Sequence, residues 1–343
     1  MRRYVAVGVL VVGATLWAYQ SVHSAWWVYE DRATRTFAAQ ATTWERAVTK
    51  WTWRVAPTPA RGHAVNLALH FALGGVLGVV AWRLGLTPFG AWIVALIWLL
   101  HPMATETVAY TKARSEQIVM LGTLLAMLAA TGRWWRPLGL AGIVGGIALA
   151  IGGEPSGVVA FLLVPLTIWH SRTRAGRAAP WWAPWWAPGI VAGCCLGGGI
   201  LWYGGLRSVI NADTEAGIVS VTAVTWYQWL LTQSGAVWYW VIATGYPVLL
   251  TPDADIDRLS GLPQALGMAT MVAMGGLAWW VRRTHPLATM AMLLWLCALT
   301  PRLIVQTPRS YLNAAQFALP FMGLALLAGY GVEQWRARWK VWA

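Results

Sequence analysis

Carboxylates are scarce in this chain: 12 of its 343 residues are Asp or Glu, against 25 Lys and Arg, and charged residues make up only 11%. An ordinary soluble domain carries roughly twice that share, so a surface bathed entirely in water is excluded. Cysteine is nearly absent as well. Cys194, Cys195 and Cys297 all lie inside apolar runs, which leaves no disulfide framework and no zinc-ligand spacing. Sustained heptads and repeats of 20 to 50 residues are missing, which excludes coiled coils and soluble repeat arrays. The centres of the apolar runs lack ionisable groups, His70 excepted, whereas a transporter places such groups at mid-membrane along its path.

What the chain has in quantity is apolar surface, at 58% of residues. A helix needs roughly 20 apolar residues to cross a bilayer. Stretches of about that kind run over 4–22, 63–83, 87–101, 116–132, 138–153, 155–170, 188–206, 262–281, 286–300 and 313–331. The reading is an all-α polytopic membrane protein of about ten spans forming one domain over 1–343, with no soluble domain. The stretch MRRYVAVGVLVVGATLWAYQSVHSA is built like a signal peptide and is read as an uncleaved first span. Many of the 27 tryptophans fall at span ends, among them Trp26, Trp27, Trp134, Trp135, Trp181, Trp182, Trp279 and Trp280, where an amphipathic ring favours the headgroup layer.

The formal charge of +13 invites a nucleic-acid reading, but its distribution argues against one. With a cytoplasmic N-terminus and ten alternating spans, Arg2, Arg3, Arg83, Arg133, Arg136, Arg172, Arg174, Arg177, Arg282, Arg283, Arg336, Arg338 and Lys340 fall inside, with Glu333 as the only acid. The remaining acids fall outside. Nearly all the net charge is then a positive-inside signal, which places both termini in the cytoplasm and leaves no case for a nucleic-acid partner.

Two outside segments are too long for hairpins, 23–61 and 207–261. In the first, Phe37, Trp44, Val48, Trp51 and Val55 recur at helical spacing, and they predict a helix lying on the outer membrane surface. In the second, the apolar run 226–250 is read as re-entrant or interfacial, because an eleventh crossing would reverse the charge rule after it.

Ionisable groups crowd the outer connectors. In LLHPMATETVAYTKARSEQ, Pro102 suits a first helical turn, and Glu106, Tyr110 and Arg114 follow at spacings of four, which predicts one shared face. Such a face serves either as an i, i+4 network fixing the connector or as part of a site. WWVYEDRATR sets Glu30 and Asp31 just past the first span, a pair suited to a general base or a metal ligand. IGGEPSG puts Glu154 at a span end, and PRLIVQTPRSYL puts Arg302, Arg309 and Tyr311 in the last outer loop, with Arg207 at another span end. Arginines on the outer side need a local partner such as a phosphate or a carboxylate.

On these residues, and on NLALHFALGGVLGVVAWRLGL, LTQSGAVWYWVIATGYPVLLTPDAD and RSYLNAAQFALPFMGLALLAG in the same order, the chain resembles the transmembrane and TPR-repeat containing O-mannosyltransferase family and its bacterial relatives, within the GT-C superfamily. The series His101, Pro102, Thr105, Glu106, Tyr110, Arg114, Ser115 and Glu116 carries most of the likeness. The resemblance implies a GT-C-like bundle in the cytoplasmic membrane whose active face is extracytoplasmic. A sugar would pass from a polyprenyl-phosphate donor to a hydroxyl of an acceptor protein or glycan, with membrane lipids and other membrane subunits as further partners. It implies Asp31 or Glu30 as catalytic base. Arg114, Arg309, Arg207 and Tyr311 would hold the donor phosphate, and His101, Glu106, Tyr110, Glu116 and Glu154 would orient the site, with no metal ligand named. The chain departs from the family pattern at Gly153, where Lys is usual, at Pro308, where Glu is usual, and in having no TPR repeats within these residues. A non-catalytic subunit on the same scaffold is the alternative reading.

Overall fold

The computed structural model describes residues 2–24, 47–132, 136–175, 226–247, 260–304 and 314–342. Among them the regular structure is helical throughout, with no strand. Twelve α-helices follow in order: α1 Arg2–Ala18, α2 Ala47–Val55, α3 Pro59–Leu84, α4 Pro88–Leu100, α5 Thr105–Ala109, α6 Arg114–Ala130, α7 Pro137–Gly153, α8 Ala160–Arg174, α9 Trp226–Gly245, α10 Leu262–Val281, α11 Pro286–Ile304 and α12 Ala314–Trp342. Three stretches, α3, α10 and Pro286–Leu303 of α11, are each long and apolar enough to cross a membrane. α4 joined to Pro102–Ala109 passes the same test as one bent element with a 57° break. This is a membrane protein by the length and apolarity of those helices. The apolar stretch 188–206 lies outside the described residues.

Helices approach closely where the sequence supplies small residues. In lipid the apolar effect gives no net drive for helices to associate, so backbone proximity and packing must hold them together. Gly122 and Ala126 of α6 face Gly146 and Ala150 of α7, and a Cβ on Gly146 would come within 2.6 Å of Ala126 N and 2.7 Å of Gly122 O. Gly323 of α12 lies the same way against Ala291 O and Trp295 N of α11. Between these pairs Leu73, Leu77, Trp98, Met120, Leu124, Met127, Trp295 and Phe321 are buried in one continuous core.

α4 and α12 run antiparallel, and each has its N-terminus held by a glutamate tied to the other. The Glu333 carboxylate of α12 accepts from Thr87 N at 3.0 Å and Thr87 Oγ1 at 3.0 Å, just ahead of α4. At the far end Glu106, a few residues past α4, accepts from Ala315 N at 3.2 Å in the first turn of α12. A carboxylate at a helix N-terminus satisfies orphan N–H groups and complements the dipole.

The connector LLHPMATETVAYTKARSEQ is not one helix, contrary to the spacing-based expectation. It runs as a 3-10 turn Pro102–Ala104, the short α5, extended backbone at Tyr110 (φ −101°, ψ 109°), a second 3-10 turn Thr111–Ala113 and then α6. Glu106, Tyr110 and Arg114 therefore do not share a helix face. The reason is tertiary. Asn66 Nδ2 of α3 donates to Thr107 O at 3.1 Å and Tyr110 O at 3.1 Å, taking carbonyls that a continuous helix would have used itself.

α2 is the described part of the helical stripe read in 23–61, and it turns a face of two threonines and a tryptophan inward. Thr49, Thr52 and Trp53 are buried, whereas Trp51 is 61% and Val55 49% exposed. Thr49 Oγ1 donates to Gly153 O at 2.8 Å, fixing α2 on the end of α7.

Candidate functional site

Two ends of the bundle differ in chemistry. At one end lie the starts of α3, α6, α8 and α12 and the ends of α4, α7 and α11. Here the chain places Glu106, Glu116 and Glu154 together with Lys112, Arg114 and Arg302. Asp31, Glu30, Arg207, Arg309 and Tyr311 lie outside the described residues.

Arg114 starts α6 and is fully buried. Its Nε donates to Asn66 Oδ1 at 2.9 Å, its Nη2 donates to Gly62 O at 2.9 Å, and its guanidinium lies 4.8 Å from the Trp53 ring centroid. Gln117, one position past Glu116, donates to Asn66 O at 3.0 Å. Asn66 is thereby the hub that ties α3, the broken connector and α6 together. A charge held this way in low dielectric is a strong fastener, because removing it strands its acceptors.

His101 is also a fastener. Its Nδ1 accepts the Met103 N–H at 3.1 Å, which puts the ring proton on Nε2, and Nε2 donates to Thr244 O at 2.9 Å near the end of α9. Both nitrogens are engaged, and the ring lies 4.7 Å from that of Phe321. Glu106 holds the start of α12, as described above.

Glu116 and Glu154 come together on a shared hydroxyl. Ser115 Oγ lies 2.7 Å from Glu116 Oε2 and 3.3 Å from Glu154 Oε2. One hydroxyl proton serves one of these carboxylates at a time, so the second needs a cation or a proton of its own. The Arg302 guanidinium, at the end of α11, lies within electrostatic reach of both.

Arg302 is in turn aimed by α9. Its Nε donates to Gln233 Oε1 at 3.1 Å, its carbonyl accepts from Trp229 Nε1 at 3.1 Å, and its guanidinium stands 5.6 Å from the Trp229 ring centroid. Arg302 and Gln233 share a small half-open pocket with Ala236, Val237, Trp240, Leu299, Leu303 and Phe317. The pocket is apolar apart from a cation and an amide. α9 reaches the end of α11 through Trp229, the start of α12 through Trp240 stacked on Phe317, and the end of α4 through Thr244, so it runs obliquely over this end of the bundle.

Sequence spacing did not point to Asn66, Gln117 or Gln233, and Arg302 was visible only as one of several outer arginines. Asn66 and Gln233 were legible as uncharged polar residues inside apolar stretches, where a side chain must find a partner. The space beside Gly153 is filled: a Cβ there would meet Ile118 Cγ2 at 2.8 Å and Val119 N at 3.0 Å. Among the described residues, no three His, Cys, Asp or Glu side chains come together as a metal site. No family model, curated protein or solved structure matches the chain.

Proposed function

We propose that the chain is a membrane glycosyltransferase of the GT-C kind, which moves a sugar from a polyprenyl-phosphate donor to a hydroxyl of a protein or glycan on the extracytoplasmic side. The observation that carries this reading is the Arg302 pocket: a guanidinium oriented by Gln233 with apolar walls around it, and the Glu116 and Glu154 carboxylates within its electrostatic reach. A lipid-borne phosphate presents the same combination, an anion on an apolar chain.

In the proposed reaction the acceptor oxygen gives its proton to Asp31 or Glu30 and bonds to the anomeric carbon with inversion. The bond from that carbon to the phosphate oxygen breaks, and the polyprenyl phosphate leaves with the electron pair. A phosphate is already a good leaving group, so one base suffices where a glycosidase needs two carboxylates. Arg302 joins Arg309 and Arg207 as a holder of the departing phosphate, through charge-assisted hydrogen bonds that strengthen away from water, whereas Arg114, fully buried against Asn66 and Gly62, is left out of that set. Gln233 orients Arg302, and Glu116 and Glu154 add negative charge within its electrostatic reach.

A second reading, a non-catalytic subunit that keeps this scaffold, has its own support. His101, Glu106 and Arg114 all use polar atoms to hold helices together, and Gly153 leaves no space for the usual Lys. One experiment separates the two. The full chain in proteoliposomes is given radiolabelled synthetic polyprenyl-phosphate hexoses and a hydroxyl acceptor, and label transfer is counted. Transfer that disappears in the E30A/D31A double variant and falls by about 100-fold in R302A, the scale on which lost transition-state donors act, supports the enzyme. No transfer from any donor, with membrane complexes assembling normally around E30A/D31A, supports the subunit.

A further inference from the structure

We infer that the bundle end opposite the candidate site binds anionic phospholipid headgroups, and that the projecting end of α12 is the centre of this face. Four helix ends meet at this level. His170 Nε2 of α8 pairs with Leu84 O of α3 at 2.9 Å, and Arg174 Nη1 donates to Arg83 O at 3.4 Å. His285, just before α11, pairs with Tyr330 Oη of α12 at 2.7 Å. Ala278 of α10 packs with Leu327 and Tyr330 of α12.

Each of these ends pairs exposed tryptophan with arginine. α3 ends on Trp82 and Arg83, α8 on Trp169 with Arg172 and Arg174, α10 on Trp279 and Trp280 followed by Arg282 and Arg283, and α12 carries Trp335 and Trp339 with Arg336 and Arg338. The described acid at this level, Glu333, has its carboxylate taken up by Thr87. That one carboxylate stands against the seven arginines just named, so the charge of this face is strongly positive.

α12 supplies the depth. Its 29 residues span about 43 Å at 1.5 Å per residue. That exceeds the roughly 30 Å hydrocarbon core and matches the thickness of about 40–45 Å with headgroups included. Beyond Glu333, which is level with the start of α4, the helix continues to Trp342. Trp335 and Trp339 are 62% and 61% exposed, and their rings meet edge-on at 5.5 Å. Helical register sets Arg338 and Arg336 on either side of that tryptophan stripe, and Arg336 folds back over the Phe89 ring at 4.3 Å. Tryptophan suits the boundary between acyl chains and headgroups, and arginine beside it suits the phosphate layer. The pairs are distributed over four helix ends and not gathered on one patch, which fits a ring of lipids better than a docked acidic protein.

The test uses the full chain in mild detergent, titrated with dioleoyl phosphatidylglycerol or dioleoyl phosphatidylcholine, with bound lipid counted by native mass spectrometry. Phosphatidylglycerol is expected to bind at least about tenfold tighter. Raising NaCl from about 0.05 to 0.5 M should shrink that advantage, since screening shortens the reach of the arginines. An R282Q/R283Q/R336Q/R338Q chain should lose the advantage, each arginine being worth roughly fivefold at an anionic surface. Equal binding of the two lipids at low salt overturns the proposal, as does an advantage that the quadruple variant retains. The salt comparison on the unaltered chain decides even where the variant misfolds. R302A should keep the preference. Its loss there would move the anionic lipid to the pocket at the other end and overturn this assignment while leaving the transferase reading intact.

Discussion

Arg114 and Arg302 show how two arginines at helix ends on the same side of the bundle take different work. Arg114 is fully buried and directs its bonds to Asn66 and Gly62, so its first effect is on folding. Replacing it by Lys removes the planar fork that reaches both acceptors. Each acceptor left unpaired costs about 1–3 kcal/mol, so R114K should lower the melting temperature of the detergent-solubilised chain by several degrees. Arg302 is half-buried at a pocket edge, and R302K should keep that melting temperature to within about 1–2 °C, the scale of an ordinary partly exposed substitution. A scan by intrinsic tryptophan fluorescence decides, and equal losses in both variants would erase the distinction. Motif spacing left Arg114 and Glu106 open between a structural network and a site. Their partners, Asn66, Gly62 and Ala315, lie up to 209 positions away, and nothing in spacing along one connector reports such a partner.

Among the elements, α6 and α7 pack closely, and Gly122 and Gly146 let the two backbones approach. Valine at Gly146 would place branched carbons into Ala126 and Gly122 O, and overpacking of this kind costs about 1–3 kcal/mol. G146V should therefore melt earlier, and it should loosen α7, whose last carbonyl at Gly153 anchors α2. Faster proteolysis near Ala47–Val55 in G146V than in the parent checks that coupling. Helix existence was legible here: prolines open α3, α4, α7, α10 and α11 at their first or second positions, as pre-set φ angles favour. The break at Tyr110 was not legible, because it comes from Asn66 on another helix competing for carbonyls. Nor was the inward face of α2, which follows from Gly153 O needing a donor.

At the scale of the whole molecule, the bundle has one end where Glu116, Glu154 and Arg302 converge and another ringed by arginine and tryptophan. The charge rule applied to the sequence assigns the first to the outside and the second to the cytoplasm. Single cysteines at Lys112 and Arg338, in a chain whose three native cysteines are replaced, should react from opposite sides. In intact cells a membrane-impermeant maleimide should label K112C, and R338C should label only after permeabilisation. Labelling of both in intact cells would remove the topology, and with it the extracytoplasmic placement of the site.

The sequence alone determined that this is a helical membrane protein, roughly where its apolar helices lie, and that its charges segregate, because apolarity and charge act residue by residue and add along the chain. Only the tertiary structure decided which polar residues hold the bundle together and which face a pocket. A hydrogen bond in low dielectric is worth its energy only to the particular partner it meets, and that partner is set by how distant helices pack.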